Sequence, residues 1–107
     1  MTNFIHMRIA GAQRAASDGR TFSRANPIDG TEASRAPAAT PDDARAAVDA
    51  ASATFPAWSA LGPGERRKHL MRAAQALEAK AAAFTAAMAD ETGASAAWAG
   101  FNVHLAA

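Results

Sequence analysis

Few side chains in this sequence of 107 residues have the type and spacing that catalysis or metal binding requires. The histidines are His6, His69 and His104, and no two of them have the four-residue spacing that places two metal ligands on one helical turn. No acidic residue completes a ligand set with them. The chain has no cysteine, which excludes a disulfide, a thiolate metal site and a cysteine nucleophile within it. We therefore predict no metal site, and surface or packing roles for the histidines.

Two charged clusters have simpler explanations than catalysis. Asp42 and Asp43 could serve as a carboxylate pair, but they follow Thr40-Pro41, where a helix start already explains them. The cations of 66–68 (Arg-Arg-Lys) could contact phosphate, yet they project in different directions around a helix, which favours a solvated face or salt bridges. The glycines form neither G-x-G-x-x-G nor a phosphate loop. We predict no catalytic and no cofactor-binding residue in this chain.

An aromatic pair near the end of the sequence is the remaining candidate. Trp98 and Phe101 are three residues apart, and Leu105 follows four residues later, which is the spacing of one helix face. A pair of this kind is most often part of a hydrophobic core. A functional interpretation of this pair needs more than its spacing.

Composition limits the possible partners. The formal net charge is +1, too balanced to indicate nucleic acid or an anionic membrane surface as a partner. No apolar run approaches the roughly 20 residues of a membrane span, and no secretory signal is visible, so we expect a cytoplasmic protein. Alanine supplies most of the apolar fraction, and only 20 residues are Val, Ile, Leu, Met, Phe or Trp. This scarcity predicts a shallow core that needs a further surface to pack against.

The first part of the chain is predicted to form a small antiparallel β ribbon over residues 1–39. Residues 4–9 and 21–25 are strand candidates, and 32–36 could return as a further strand. The segment 26–30, Asn-Pro-Ile-Asp-Gly, is a turn by composition.

Residues 40–107 are predicted to be helical. Thr40 and the following Pro41 begin a short helix that we expect to end at Pro56. A long helix should run from Pro63 to a stop at Gly93, and Ser95 opens a third helix. Alanine and larger apolar residues recur along one face of each of the first two helices.

The order of these motifs resembles the amino-terminal end of the NAD(P)-dependent aldehyde dehydrogenase superfamily. The matching stretches, from about residue 5 to the end, are "TFSRANPIDG", then "TPDDARAAVDAASATFPAWSALGPGERRKHLMRAAQALEAK", then "DETG". Ala94 stands where lysine is common in the family. Together with the following "SAAWAGFNVHLAA", this departure makes the end of the sequence similar to the branch of the family that acts on aromatic aldehydes.

The resemblance implies an α/β fold for the full-length family, of which this chain is the amino-terminal fragment, mostly α with the β ribbon. The family's cysteine nucleophile, general base and NAD(P)-binding units would lie further along, and the complete enzyme would be a homo-oligomer acting on an aldehyde substrate. The remainder of the enzyme chain would then be the partner of these residues. Trp98 and Phe101 become candidate substrate-binding residues at the aldehyde entrance.

Two further readings compete with this one. The chain could be a non-catalytic helical interaction module that binds a partner through its alanine-rich helix face. It could also be a small structural helical protein whose likeness to the family is accidental, although the matches at "NPIDG" and "FPAW" oppose this.

Overall fold

The computed structural model describes residues 3–107, so the first two residues of the predicted 1–39 ribbon lie outside it. In the described part, five short strands precede four helices. None of these helices combines the length and hydrophobicity that crossing a membrane requires. The chain divides into two units. The first consists of the described residues up to Arg24 together with Glu32–Ala60, and the second consists of Ala25–Thr31 together with Leu61–Ala107.

The strands of the first unit form two small sheets. In chain order they are β1 (Asn3–Phe4), β2 (Met7–Ile9), β3 (Ala12–Arg14), β4 (Thr21–Ala25) and β5 (Glu32–Pro37). Strands β1, β5 and β4 lie side by side in that order, and β1 runs parallel to β5. Strands β2 and β3 form a separate antiparallel pair.

The predicted strands at 21–25 and 32–36 and an antiparallel ribbon are confirmed, with three differences: β3 was not predicted, β1 pairs in parallel with β5, and the first predicted strand is divided. β4 covers the predicted residues 21–25, and β5 extends the predicted 32–36 by one residue. The segment predicted as one strand over 4–9 is instead split between the two sheets. The N–H of Ile5 still donates to the carbonyl of Arg35 at 2.8 Å, and two residues later the chain pairs with β3. Local alternation cannot reveal this change of partner, because β1 and β5 are distant in sequence.

The first helix, α1 (Pro41–Ala60), begins at the predicted capping box. The N–H of Thr40 donates to the Asp43 carboxylate at 2.9 Å, and the N–H of Asp43 donates back to Thr40 Oγ1 at 3.2 Å. Ser17 adds its own N–H to the same carboxylate at 3.1 Å. The capping box therefore also ties the loop before β4 to the start of α1.

The prediction that Pro56 ends this helix was wrong. α1 continues through Pro56 to Ala60; the fixed φ of proline is compatible with a helix, although its ring removes one backbone donor and crowds the carbonyl four residues back. The helix stops before Gly62, whose extended backbone (ψ 159°) is what the residue before Pro63 requires.

The second unit contains the other three helices, α2 (Pro63–Glu78), α3 (Ala81–Thr92) and α4 (Ala96–Ala106). The single long helix predicted from Pro63 to Gly93 is two helices, separated at Ala79 and Lys80. Lys80 leaves the helical conformation, and its N–H bonds to the carbonyl of Leu77 at 3.0 Å, three residues back. Neither glycine nor proline occurs there, so no local signal indicates the break.

The predicted helix stop at Gly93 and the predicted turn at 26–30 are both confirmed, and they touch. Gly93 has φ 71°, the left-handed conformation that ends α3. A Cβ at this glycine would lie 3.2 Å from Pro27 Cγ and 3.5 Å from Ile28 Cγ1. The turn itself is held by Asn26, whose Oδ1 accepts the N–H of Ile28 at 2.9 Å.

The Asp43 capping network predicts an acid-sensitive contribution to stability. The N–H groups of Thr40, and then of Ser17, hold the pKa of Asp43 below its usual value of 3.8. Because the folded pKa is the lower one, this stabilisation is complete above about pH 3.8 and is lost as the pH falls through the folded pKa. In the intact protein, we expect the stability difference between the wild type and Asp43→Asn to shrink in that window, as measured by chemical unfolding at stepped pH.

Asp42→Asn is the matched control for this measurement. Asp42 pairs with Arg45, but its side chain is 83% exposed, so this salt bridge contributes little to stability. Equal acid dependence in the two variants would contradict the role assigned to Asp43.

The contact at Gly93 predicts a substitution cost. Gly93→Ala should destabilise the intact protein by about 1–2 kcal/mol, because alanine resists the left-handed backbone and its Cβ would press on Pro27. Gly100→Ala is the control, since Gly100 lies inside α4 with nothing within 4 Å of the new methyl group. That substitution should stabilise the protein by about 0.5–1 kcal/mol. Thermal unfolding measures the effect of each substitution on stability. Similar changes in the unfolding temperature for Gly93→Ala and Gly100→Ala would contradict a special conformational requirement at Gly93.

Candidate functional site: the aromatic face of α4

Helix α4 is fixed at its start and along one side. The hydroxyl of Ser95 caps the helix by accepting the N–H of Trp98 at 3.3 Å, which confirms the predicted helix start. Ala99 is fully buried and Val103 is 9% exposed, and α3 is the main packing partner of α4. This buried side determines which face of α4 remains open.

The open face carries the two predicted site residues. Trp98 and Phe101 are 57% and 53% exposed, and Leu105 on the same side is 71% exposed. The two aromatic rings are stacked, with centroids 5.6 Å apart and planes inclined by 25°. The pair is therefore not part of the core that residues 3–107 form. We call Trp98, Phe101 and Leu105 the aromatic face.

A further side chain, Asn102, supports the aromatic face. Its amide Nδ2 donates to the backbone carbonyl of Trp98 at 2.8 Å, one helical turn back. The N–H and the C=O of Trp98 are thus both bonded to side chains, Ser95 at one end and Asn102 at the other. Residue type alone does not single out Asn102, but its position four residues after Trp98 is a signal that could have indicated it.

The chemistry available at this face is stacking and desolvation. Two nearly parallel rings offer a flat apolar surface to a flat apolar ligand. The neighbouring polar side chains, Ser95 and Asn102, are bonded to the backbone of Trp98. The aromatic face can therefore position an aromatic group, while proton transfer or nucleophilic attack needs groups from elsewhere.

The other helices also leave apolar side chains open. Val48 and Phe55 of α1 are each 64% exposed, and Leu70 of α2 is 63% exposed. A surface groove of about 430 Å³ lies between β2 and α1, and both Phe55 and Trp58 line it. The predicted apolar faces of these helices exist, but little within the described residues covers them.

The charged candidates have structural partners. Asp43 belongs to the capping box, Asp42 pairs with Arg45, and Lys68 Nζ lies 2.6 Å from the carboxylate of Glu65. These contacts match the interpretation of Asp43 as a capping residue and of Asp42 and Lys68 as members of surface ion pairs. They leave no carboxylate pair arranged for acid–base work at Asp42 and Asp43.

The histidines are not brought together into a metal site in the described part of the chain. The ring of His6 meets that of Phe4 edge-on, with centroids 4.8 Å apart. His104 Nδ1 lies 3.7 Å from a carboxylate oxygen of Glu78 on α2.

The NAD(P) implied by the sequence resemblance has no fitting phosphate loop among residues 3–107. Gly62 lies between α1 and α2 and Gly64 lies in the first turn of α2, whereas a dinucleotide-binding loop joins a strand to a helix. No cofactor contact is therefore assigned to this segment.

Comparisons with known proteins agree with the motif order. The model of the aldehyde dehydrogenase family matches residues 14–107. The chain is 53% identical, over 96% of its length, to a vanillin dehydrogenase of Pseudomonas fluorescens. Among solved structures it resembles a salicylaldehyde dehydrogenase from Pseudomonas putida G7 complexed with salicylaldehyde, with 38% identity over 97% of this chain and a TM-score of 0.89. An NAD-dependent aldehyde dehydrogenase from Sinorhizobium meliloti gives a TM-score of 0.93 at 26% identity over 97% of this chain.

These relatives are much longer proteins. The chain spans 21% of the length of each of the three. The family match nevertheless extends over most of this chain, and the fold agrees with the solved relatives over nearly all of it. The chain belongs to the aldehyde dehydrogenase family.

Proposed function

We propose that this chain is the amino-terminal part of an NAD(P)-dependent aldehyde dehydrogenase that oxidises an aromatic aldehyde to its carboxylic acid. Residues 1–39 would be its β ribbon region and residues 40–107 its first helical part. Family membership supports the reaction type, and the relatives named for vanillin and salicylaldehyde support the aromatic substrate. The Sinorhizobium structure, named as NAD-dependent, supports the cofactor class.

The reacting groups would come from the remainder of the enzyme. The chain contains no cysteine, so the thiolate that attacks the aldehyde must lie outside these residues. NAD(P), bound by that remainder, would accept the hydride, and hydrolysis of the thioester would release the acid. The role of the present residues is then to position substrate and to support the catalytic part.

The aromatic face carries the substrate proposal. Trp98 and Phe101 would form one wall of the aldehyde pocket, because an aromatic substrate can stack on exposed rings whose planes are inclined by only 25° to each other. Their exposure in the described residues leaves both rings available for this role.

The remainder of the enzyme chain is the partner that we propose for the open apolar faces. Val48, Phe55 and Leu70 are exposed on helices with regular apolar spacing, as expected of helices that pack against further protein. The complete enzyme would be a cytoplasmic homo-oligomer.

Removing the larger ring tests the pocket wall. In the full-length enzyme, Trp98→Ala should raise KM for an aromatic aldehyde about fivefold, the equivalent of ~1 kcal/mol of stacking. A short aliphatic aldehyde has no ring to stack, so its KM should change by less than about twofold. Steady-state kinetics with both substrates provide the measurement.

Leu105→Ala is the control, because Leu105 lies on the same face and is even more exposed but has no ring. It should leave the ratio of the two KM values near that of the wild type. Equal effects of Trp98→Ala on both substrates would contradict the pocket wall and favour a packing role.

The division of labour gives a second test. The 107-residue chain, supplied with NAD(P) and an aromatic aldehyde, should show no NAD(P)H formation by absorbance, because it has no thiolate nucleophile. Turnover by this chain alone would disprove the proposed arrangement. The alternative, a non-catalytic helical interaction module, would be favoured if the full-length protein were also inactive on every aldehyde while the chain bound another protein.

A further inference from the structure

The side chain of Asn102 is only partly used by the contacts of α4. A backbone carbonyl oxygen only accepts hydrogen bonds, and of the two polar atoms of the Asn102 amide only the nitrogen can donate, so the atom 2.8 Å from the Trp98 carbonyl must be that nitrogen. The amide oxygen Oδ1 therefore points away from that carbonyl. Among the residues that the structure describes, no donor bonds to Oδ1, although the residue is half-buried.

Asn102 also lies at the edge of the aromatic face. With about 100° of rotation per residue, it stands about 40° around the helix axis from Trp98, while Phe101 stands about 60° to the other side. The buried Ala99 lies about 100° from Trp98, beyond Asn102. The amide thus stands between the open rings and the buried side, which agrees with its intermediate exposure.

We propose that Asn102 is a specificity-determining residue, and that its Oδ1 accepts a hydrogen bond from a hydroxyl group on the ring of the aldehyde substrate. This inference rests on the proposed function, since it needs the aromatic face to be a pocket wall. The rings of Trp98 and Phe101 hold any flat aromatic ring equally well. A hydrogen-bond acceptor beside the rings distinguishes substrates that stacking does not, because it binds a ring that carries a donor more tightly than a ring without one.

The preferred substrate class follows from the chemistry of the acceptor. A phenolic hydroxyl can donate to Oδ1, whereas a methoxy group has no proton to donate and an unsubstituted ring has no polar group. Because the amide nitrogen is engaged with Trp98, the orientation of the acceptor is fixed before substrate arrives. Hydroxybenzaldehydes are therefore the class that this site favours over benzaldehyde and methoxybenzaldehydes.

The experiment compares substrates within one enzyme. In the full-length protein, kcat/KM is measured for the hydroxybenzaldehyde isomers, the methoxybenzaldehyde isomers and benzaldehyde, at a pH where the phenols are protonated. Asn102→Leu should lower the hydroxy-to-methoxy ratio of kcat/KM for at least one isomer about fivefold, the size of one neutral hydrogen bond. A purely structural role would lower all the values together and leave that ratio unchanged, which would overturn the proposal.

Asn102→Asp separates the acceptor from the tie to Trp98. It keeps an oxygen acceptor but loses the donor to the Trp98 carbonyl, so the hydroxy-to-methoxy ratio should persist even where every kcat/KM falls. Loss of the ratio in Asn102→Asp as well would assign the selection to the orientation of Trp98 and contradict the acceptor role.

Trp98→Ala distinguishes this proposal from the pocket on which it depends. One outcome is that Trp98→Ala lowers kcat/KM for all aromatic aldehydes alike while Asn102→Leu leaves the hydroxy-to-methoxy ratio of kcat/KM at its wild-type value. In that case the pocket is supported and the role of Asn102 is refuted. If Trp98→Ala affects aromatic and aliphatic aldehydes equally, the pocket itself is refuted, and the Asn102 proposal with it.

Discussion

The left-handed backbone at Gly93 is the constraint on which the aromatic face depends. It ends α3, and two residues later Ser95 caps α4 and fixes the N–H of Trp98. The missing side chain lets Pro27 approach to a distance that a Cβ could barely tolerate. The start of α4 thus follows a contact between the turn that contains Pro27 and the turn at Gly93, which lie far apart in the sequence. The position of Trp98 depends on where α4 starts.

A second constraint is the small amount of apolar surface that the described residues can bury. The buried apolar residues of the described core are Ile9, Ala16, Pro37, Ala99 and Val103, and two of these five are alanines. A methyl group removes little area from water, so an alanine-rich helix face gains little free energy from packing on its own neighbours. The same flat face lets another backbone approach closely. The regular apolar spacing of α1 and α2 is therefore consistent with the proposal that these faces pack against the remainder of the enzyme.

The features that could be predicted from sequence are those that local chemistry decides. Thr40, Gly93 and Ser95 mark helix ends through caps that need only their immediate neighbours, and the structure places each as expected. The parallel pairing of β1 with β5 depends on residues distant in sequence, and the break at Lys80 has no residue type that marks it. At the site, spacing predicted that Trp98 and Phe101 share a face. Their exposure depends on which side of α4 meets α3, which no local pattern contains.

Exposure by itself does not distinguish the aromatic face from other open apolar residues, since Val48 and Phe55 are more exposed than Trp98. The observation that supports a pocket is the arrangement of the aromatic face before binding. Both backbone groups of Trp98 are bonded to side chains, and its ring is held nearly parallel to that of Phe101. A ligand that meets groups already fixed in place loses less of its binding free energy to ordering them. Surfaces that only await further protein need no such order, because folding supplies it, whereas a pocket must offer the same surface to each new substrate molecule. This arrangement of the two rings therefore supports the proposal that they form a pocket wall.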